Sequence, residues 1–173
     1  MTNKRKTIKE TITKSSSKRS SPSLSLADLI HSDTASKKGI RNTPTKAALN
    51  KLKHLGSTLE QVVELLGYSI SISSAYRSKA LNAAVGGSKT SHHTQGLAAD
   101  FTCKRFGTPF SVCKKIAKSD IQFDQLILEY GAARKIAWVH LGVGPKKRRQ
   151  VFTIFTASNL SRDGLHRYRK KQP

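Results

Sequence analysis

Ser91-His92-His93-Thr94-Gln95-Gly96-Leu97-Ala98-Ala99-Asp100, followed further on by Trp138-Val139-His140, is the stretch from which the rest of this chain can be read. Gly96 marks a reversal, because glycine accepts the positive φ that such turns need. After it, Leu97 to Cys103 reads as a short buried strand. Alternation puts Ala98, Asp100 and Thr102 on one face and Leu97, Ala99, Phe101 and Cys103 on the other. Ile136 to Val143 reads as a second strand, with Trp138, His140 and Gly142 on one face. An Asp and a His inside apolar strands each need a partner, since unpaired buried polar groups are costly.

A shared metal satisfies both. His93, Asp100 and His140 supply two imidazoles and a carboxylate, a three-ligand set that leaves a fourth position open on a zinc ion. Structural zinc sites are mostly closed by four Cys-rich ligands, whereas catalytic sites keep a position for water. The competing reading is a hydrogen-bonded His–Asp pair in an ordinary core plus an unrelated third His. Spacing alone leaves both open, because no short motif such as H-E-x-x-H is present. His92 would point the other way along an extended segment and ranks behind His93. His and carboxylate ligands would also accept manganese or cobalt.

Outward from this stretch, elements alternate with turn signals. Ser25 to His31 suits a short helix. Thr43-Pro44 opens a helix to about Leu55, with Thr as cap and Pro in the first turn. Ser57-Thr58-Leu59-Glu60 has the form of a capping box for a second helix that Gly67 ends. Strand Ile70–Ser74, helix Ser78–Val85 and the loop from Gly86 then lead to His93. Helix Pro109–Lys118 follows the Asp100 strand. Strands Gln122–Glu129, Ile136–Val143 and Gln150–Phe155 then suggest an antiparallel meander. Helices first and strands later predict an α+β domain, with N-terminal helices packed on a small, mostly antiparallel sheet.

Several of these segments together resemble the zinc D-alanyl-D-alanine carboxypeptidases, a family of peptidoglycan peptidases that shares its fold with the hedgehog signalling domain. The matching residues are Ser73-Ser74-Ala75-Tyr76-Arg77-Ser78, then Leu81 to Ser88, then the S-x-H-x-x-G-x-A-x-D run ending at Asp100. Phe123-Asp124-Gln125-Leu126-Ile127-Leu128-Glu129, Trp138-Val139-His140 and Arg148-Arg149-Gln150-Val151 continue it. The resemblance runs in order from about Ser25 to Ile154. It implies a hedgehog-like fold, Zn2+ on His93, Asp100 and His140, and Arg77 as the group that binds a substrate carboxylate or carbonyl. It also implies a metallopeptidase acting on the stem or cross-link peptides of bacterial peptidoglycan. Branches of the family carry an acid or His two or three positions before the last zinc ligand, where this chain has Ala137 and Trp138.

The proton acceptor must therefore come from elsewhere, and the acid inventory is short. Of ten acidic residues, only Asp120, Asp124 and Glu129 fall between the two halves of the site. Glu129 ends the apolar strand Leu126-Ile127-Leu128, and the loop after it leads directly to the His140 strand. It is the expected general base, against a surface Glu paired with Arg134 or Lys135. Ser91 is expected to orient His93 or to donate to substrate, with a plain turn cap as the alternative. Trp138 is expected to pack beside the metal.

A chain of 173 residues suits one domain, here residues 24–158. Residues 1–23 carry seven basic side chains and one acidic, with little apolar content, the composition of a disordered arm. Residues 159–173 carry five basic side chains and one acidic and read as a basic tail. Most of the net charge of +22 remains on the domain between them. Such charge suits an anionic cell wall, a virion protein or another anionic polymer. Nucleic acid ranks second, since no DNA-reading motif accompanies it. No stretch approaches the roughly 18 apolar residues of a membrane span, and the basic N-terminus lacks the apolar core of a secretory signal. A wall-active enzyme with this make-up is expected to act as a phage lysis or virion-associated protein, present in the virion or host cytoplasm and working on the periplasmic wall. The second reading, from another class, is a weak or inactive wall-binding virion protein on the same fold. Cys103 and Cys113 read as small buried hydrophobes, with a disulfide as the alternative.

Overall fold

The computed structural model describes residues 24–130, 136–155 and 160–167. Two short helices, α1 (Leu26–Ile30) and α2 (Asp33–Lys37), precede the long α3 (Lys46–Leu66). Strand β1 (Ser71–Ser74), α4 (Lys79–Ala84), a 3-10 turn (His92–Gln95), β2 (Ala98–Thr102) and α5 (Pro109–Ala117) follow. Strands β3 (Gln125–Tyr130), β4 (Ala137–Gly142), β5 (Gln150–Phe155) and β6 (Leu160–Asp163) complete one six-stranded sheet in the order β1-β2-β4-β3-β5-β6. The fold is α+β, as the segregation of helices and strands predicted. The basic arm expected at residues 1–23 lies outside the described residues.

Helix α3 is one continuous helix, and the break expected at Ser57 does not occur. Its apolar stripe, Ala48, Leu52, Leu55, Leu59, Val62 and Leu66, keeps helical phase straight through and is buried along its length. Ser57 and Thr58 return their hydroxyls to the carbonyls of Lys53 and His54 one turn back. A local capping preference of about 1 kcal/mol loses to several buried leucines, each contributing about 1.5–3 kcal/mol. The N-cap is Thr45, whose hydroxyl accepts from the Ala48 amide, two residues after the expected Thr43. Gly67 closes the helix in the left-handed conformation, as expected.

The sheet is mixed rather than a simple meander. β3 pairs antiparallel with β4 but parallel with β5. Loop residues Arg148 and Arg149 explain how the chain reaches that position. Asp124 accepts from the Arg148 amide and from its Nε and Nη2 at 2.7–3.1 Å. Arg149 lies over the Phe123 ring and donates to the carbonyls of Ala117, Ser119 and Ile121 beyond α5. The connection is thereby pulled across the start of β3, so β5 enters beside it in the same direction. Edge strand β6 pairs with β5 inside the segment expected to be a basic tail. Gly164 and His166 then bond to the fully buried Thr153, so the sheet reaches further along the chain than the apolar pattern indicated.

One sheet face carries Ala99, Phe101, Leu126, Leu128, Val139 and Leu141, which pack with α3 and with Val112, Cys113 and Ile116 of α5. Both cysteines are buried and free. The opposite face carries the polar residues. Strand pairing aligns Asp100 with His140, and His140 with Ile127. Among the described residues no helix is long and apolar enough to cross a membrane.

Candidate metal centre

The polar face is built in rungs across the central strands. Trp138 of β4 opposes Glu129 of β3, His140 opposes Ile127, and Gly142 opposes Gln125. On the other side of His140 stands Asp100 of β2. Two of the three predicted ligands are thus direct cross-strand neighbours, held by ladder register rather than by flexible loops.

His93 arrives from the 3-10 turn. Ser91 caps that turn, its hydroxyl accepting from the His93 amide, and Gly96 ends it at φ 72°. The segment is therefore not extended, as the sequence had suggested, although His92 and His93 still diverge. The His93 ring is 2% exposed and donates from Nδ1 to the Ala75 carbonyl at 2.6 Å. That bond fixes the tautomer and leaves the Nε2 lone pair directed inward. His93 Nε2 lies 3.3 Å from His140 Nδ1 and 3.2 Å from Asp100 Oδ2, while His140 Nδ1 lies 2.8 Å from Asp100 Oδ1. One ligand atom from each of the three residues falls within 4.8 Å of the other two.

Electrostatics follows from this crowding. Burial alone would raise the Asp100 pKa, but hydrogen bonds to His140 and His93 outweigh it and hold the carboxyl far below the usual carboxylate range. Burial lowers the proton affinity of His93. For His140 the neighbouring Asp100 overrides burial and raises it. The inward-facing set consists of two imidazole nitrogens and a carboxylate oxygen in a dry pocket. Such a set asks for a cation at its centre, and its composition fits zinc with an open position.

Arg77 lies behind the trio. It donates from Nη2 to Asp100 Oδ2 at 2.7 Å and from Nε to the Ser74 hydroxyl at 2.8 Å. Arg77 was expected to bind a substrate carboxylate or carbonyl, and in this structure its side chain bonds Asp100 and Ser74. Ser73 adds a hydrogen bond to the Asp100 carbonyl, at the irregular point where β1 shifts register against β2. Ser91 is placed by its cap on His93, and it also borders the cleft described below.

Glu129 stands on the rung adjacent to His140, on the same face and half-buried. Burial raises its pKa and the Asp100 charge adds to this, while His140 and Arg77 work against it. Ala137, where relatives were expected to carry an acid, faces the other way and packs against the hydrophobic core. Of the two positions where an acid or His was expected, only Trp138 therefore stands on the face of the trio. Trp138 shares the metal face with His140, as alternation predicted.

On the far side of His140 from Glu129 opens a cleft of about 390 Å³, lined by Ser88, Thr90, Ser91, His92, Gln125 and His140. Sequence reasoning ranked His92 low and assigned Gln125 nothing. The missing signal was tertiary, because both reach the cleft only through the Gly142–Gln125 rung. Asp124 and Arg148 had been noted within matching segments without a role, and the ion pair between buried Asp124 and exposed Arg148 supplies it.

Comparison with known proteins agrees with the geometry. The family model described as peptidase M15 matches residues 22–142, well over half of the chain and all three ligand positions. No curated protein matches the chain.

Proposed function

The chain belongs to the peptidase M15 family, a metallopeptidase family, and from that premise we propose that it is a zinc peptidase that hydrolyses peptide bonds of bacterial peptidoglycan. The observation that carries the catalytic part is the convergence of His93 Nε2, His140 Nδ1 and an Asp100 oxygen, with Glu129 one rung away. Support for the substrate is chemical. The cleft beside His140 is lined by hydroxyl, amide and imidazole groups, which suit a polar peptide stem. The net charge of +22 suits an anionic wall. The motifs shared with peptidoglycan peptidases point the same way, and a phage lysis or virion-associated setting is part of this proposal.

Zinc held by His93, Asp100 and His140 would supply Lewis acidity toward a peptide carbonyl and toward water. The protein does the rest. Asp100 holds its place because Arg77 donates to its Oδ2, the oxygen that also faces His93. His93 keeps its donor nitrogen inward because Ala75 occupies the other. Glu129 takes a proton from the attacking water and returns it to the leaving amine. Burial raises its proton affinity above that of an ordinary carboxylate, the direction that favours accepting a proton.

The test is a digest of purified peptidoglycan by zinc-loaded protein, by chelator-treated protein and by His93→Ala, read by mass spectrometry of released fragments. Metal-dependent release of defined muropeptides is the expected result and identifies the bond cut. A folded, zinc-bound protein that binds wall but releases nothing would overturn the proposal in favour of a wall-binding role.

A further inference from the structure

His92 is the chemically capable side chain at this site that the mechanism leaves unused. Its position is imposed by its surroundings. The 3-10 turn fixes its backbone, whose carbonyl accepts from the amides of Gly96 and Leu97. Its ring lies against Gly142, the β4 residue on the rung next to His140. A Cβ at Gly142 would come within 3.1 Å of His92 Nδ1, so a larger residue there would press on the ring.

The two ring nitrogens therefore meet different environments. Nδ1 is buried and has no hydrogen-bond partner, whereas Nε2 is not among the buried unsatisfied atoms, and His92 lines the cleft with His140, Gln125 and Ser91. A neutral imidazole carries a single N–H. Placing it on Nδ1 would bury a donor with nothing to accept it. A lone pair there meets the polarised Cα–H of Gly142, a weak but favourable contact. The proton belongs on Nε2, and the cleft then contains a fixed donor beside the metal trio.

We infer that His92 Nε2–H is a substrate-binding donor that holds the carbonyl oxygen of the peptide bond being cut. This rests on the peptidase reading above. Glu129 and His92 then flank the trio from opposite sides, one on the Trp138 rung and the other over the Gly142 rung. A proton acceptor on one side and an N–H donor on the other match the two places where charge changes during attack on an amide. Donors aimed at a developing oxyanion contribute roughly a hundredfold to a thousandfold in rate.

The experiment compares wild type, His92→Leu and His92→Gln as full-length, zinc-loaded proteins. Zinc content and melting temperature are measured beside kcat and KM on soluble muropeptides. The expected result for His92→Leu is kcat lowered about a hundredfold, with zinc content kept. His92→Gln, whose amide N–H can reach the same place, should recover at least about tenfold of that loss. Equal kcat in wild type and His92→Leu would overturn the assignment. So would a His92→Gln as impaired as His92→Leu while folded and zinc-bound. A ring-nitrogen NMR spectrum of 15N-labelled wild type gives an independent reading, in which a proton on Nε2 is expected and one on Nδ1 overturns the inference. If wild type cleaves nothing, the peptidase reading is what fails, and this spectrum still decides whether the donor exists.

Discussion

Glu129 and Trp138 face each other across the β3–β4 ladder, which puts Glu129 one rung from His140 on the polar face of the sheet. Same-face residues along a strand are about 7 Å apart. A carboxylate there is a neighbour of the trio without being a ligand, the relationship a proton acceptor needs.

Glu129→Gln should therefore keep its zinc and its fold while kcat falls about a hundredfold to ten-thousandfold. Zinc content by elemental analysis and muropeptide release by mass spectrometry would check this together. Turnover close to wild type would return the base assignment to Asp120 or Asp124.

Arg77 is bonded to Asp100 and Ser74, so Arg77→Ala is expected to weaken zinc binding about 10–100-fold. Competition with a chromogenic chelator would measure it. Arg77→Lys should recover only part of the loss, because an ammonium lacks the planar fork that spans both partners. Unchanged zinc affinity together with a raised KM would move Arg77 back to substrate binding.

Asp124 is buried under Arg148, whose hydrogen bonds hold its pKa at about 2 against a raising effect of burial. A depressed folded-state pKa stabilises above the unfolded value of about 4 and loses that contribution as pH falls toward 2. Asp124→Asn should lower the melting temperature by about 5–10 °C at pH 7. The gap between wild type and variant should then narrow from about pH 4 downward. Thermal melts of both proteins from pH 7 to pH 2 would show it, and a pH-independent gap would contradict it.

Leu59 follows the position where a helix break was expected, and it is fully buried. Leu59→Ala should cost about 2–5 kcal/mol, read as a shift in the midpoint of denaturant unfolding. A cost under about 1 kcal/mol would mean that the second half of α3 is not anchored in the core.

Much of the site was legible because strand alternation is local. Placing Asp100 apart from Phe101, and His140 with Trp138, needs only the period of two, and the ladder keeps both pairs as read. Local rules misled where a larger burial competed with them, as at Ser57, whose capping pattern sits inside the continuous stripe of α3.

The chain's own order of residues determined most of the helices and strands, the types of the candidate metal ligands and the face on which the central-strand residues stand, because these follow from short-range periodicity and turn chemistry. Only the tertiary structure decided that β5 runs parallel to β3, that Arg77 is bonded to Asp100, and that His92 rests on Gly142. Each of these joins residues between 23 and 50 positions apart, from Arg77 to Asp100 or from His92 to Gly142. The energy that selects such contacts is that of closing the whole core and satisfying its buried charges, and no local stretch of sequence contains it.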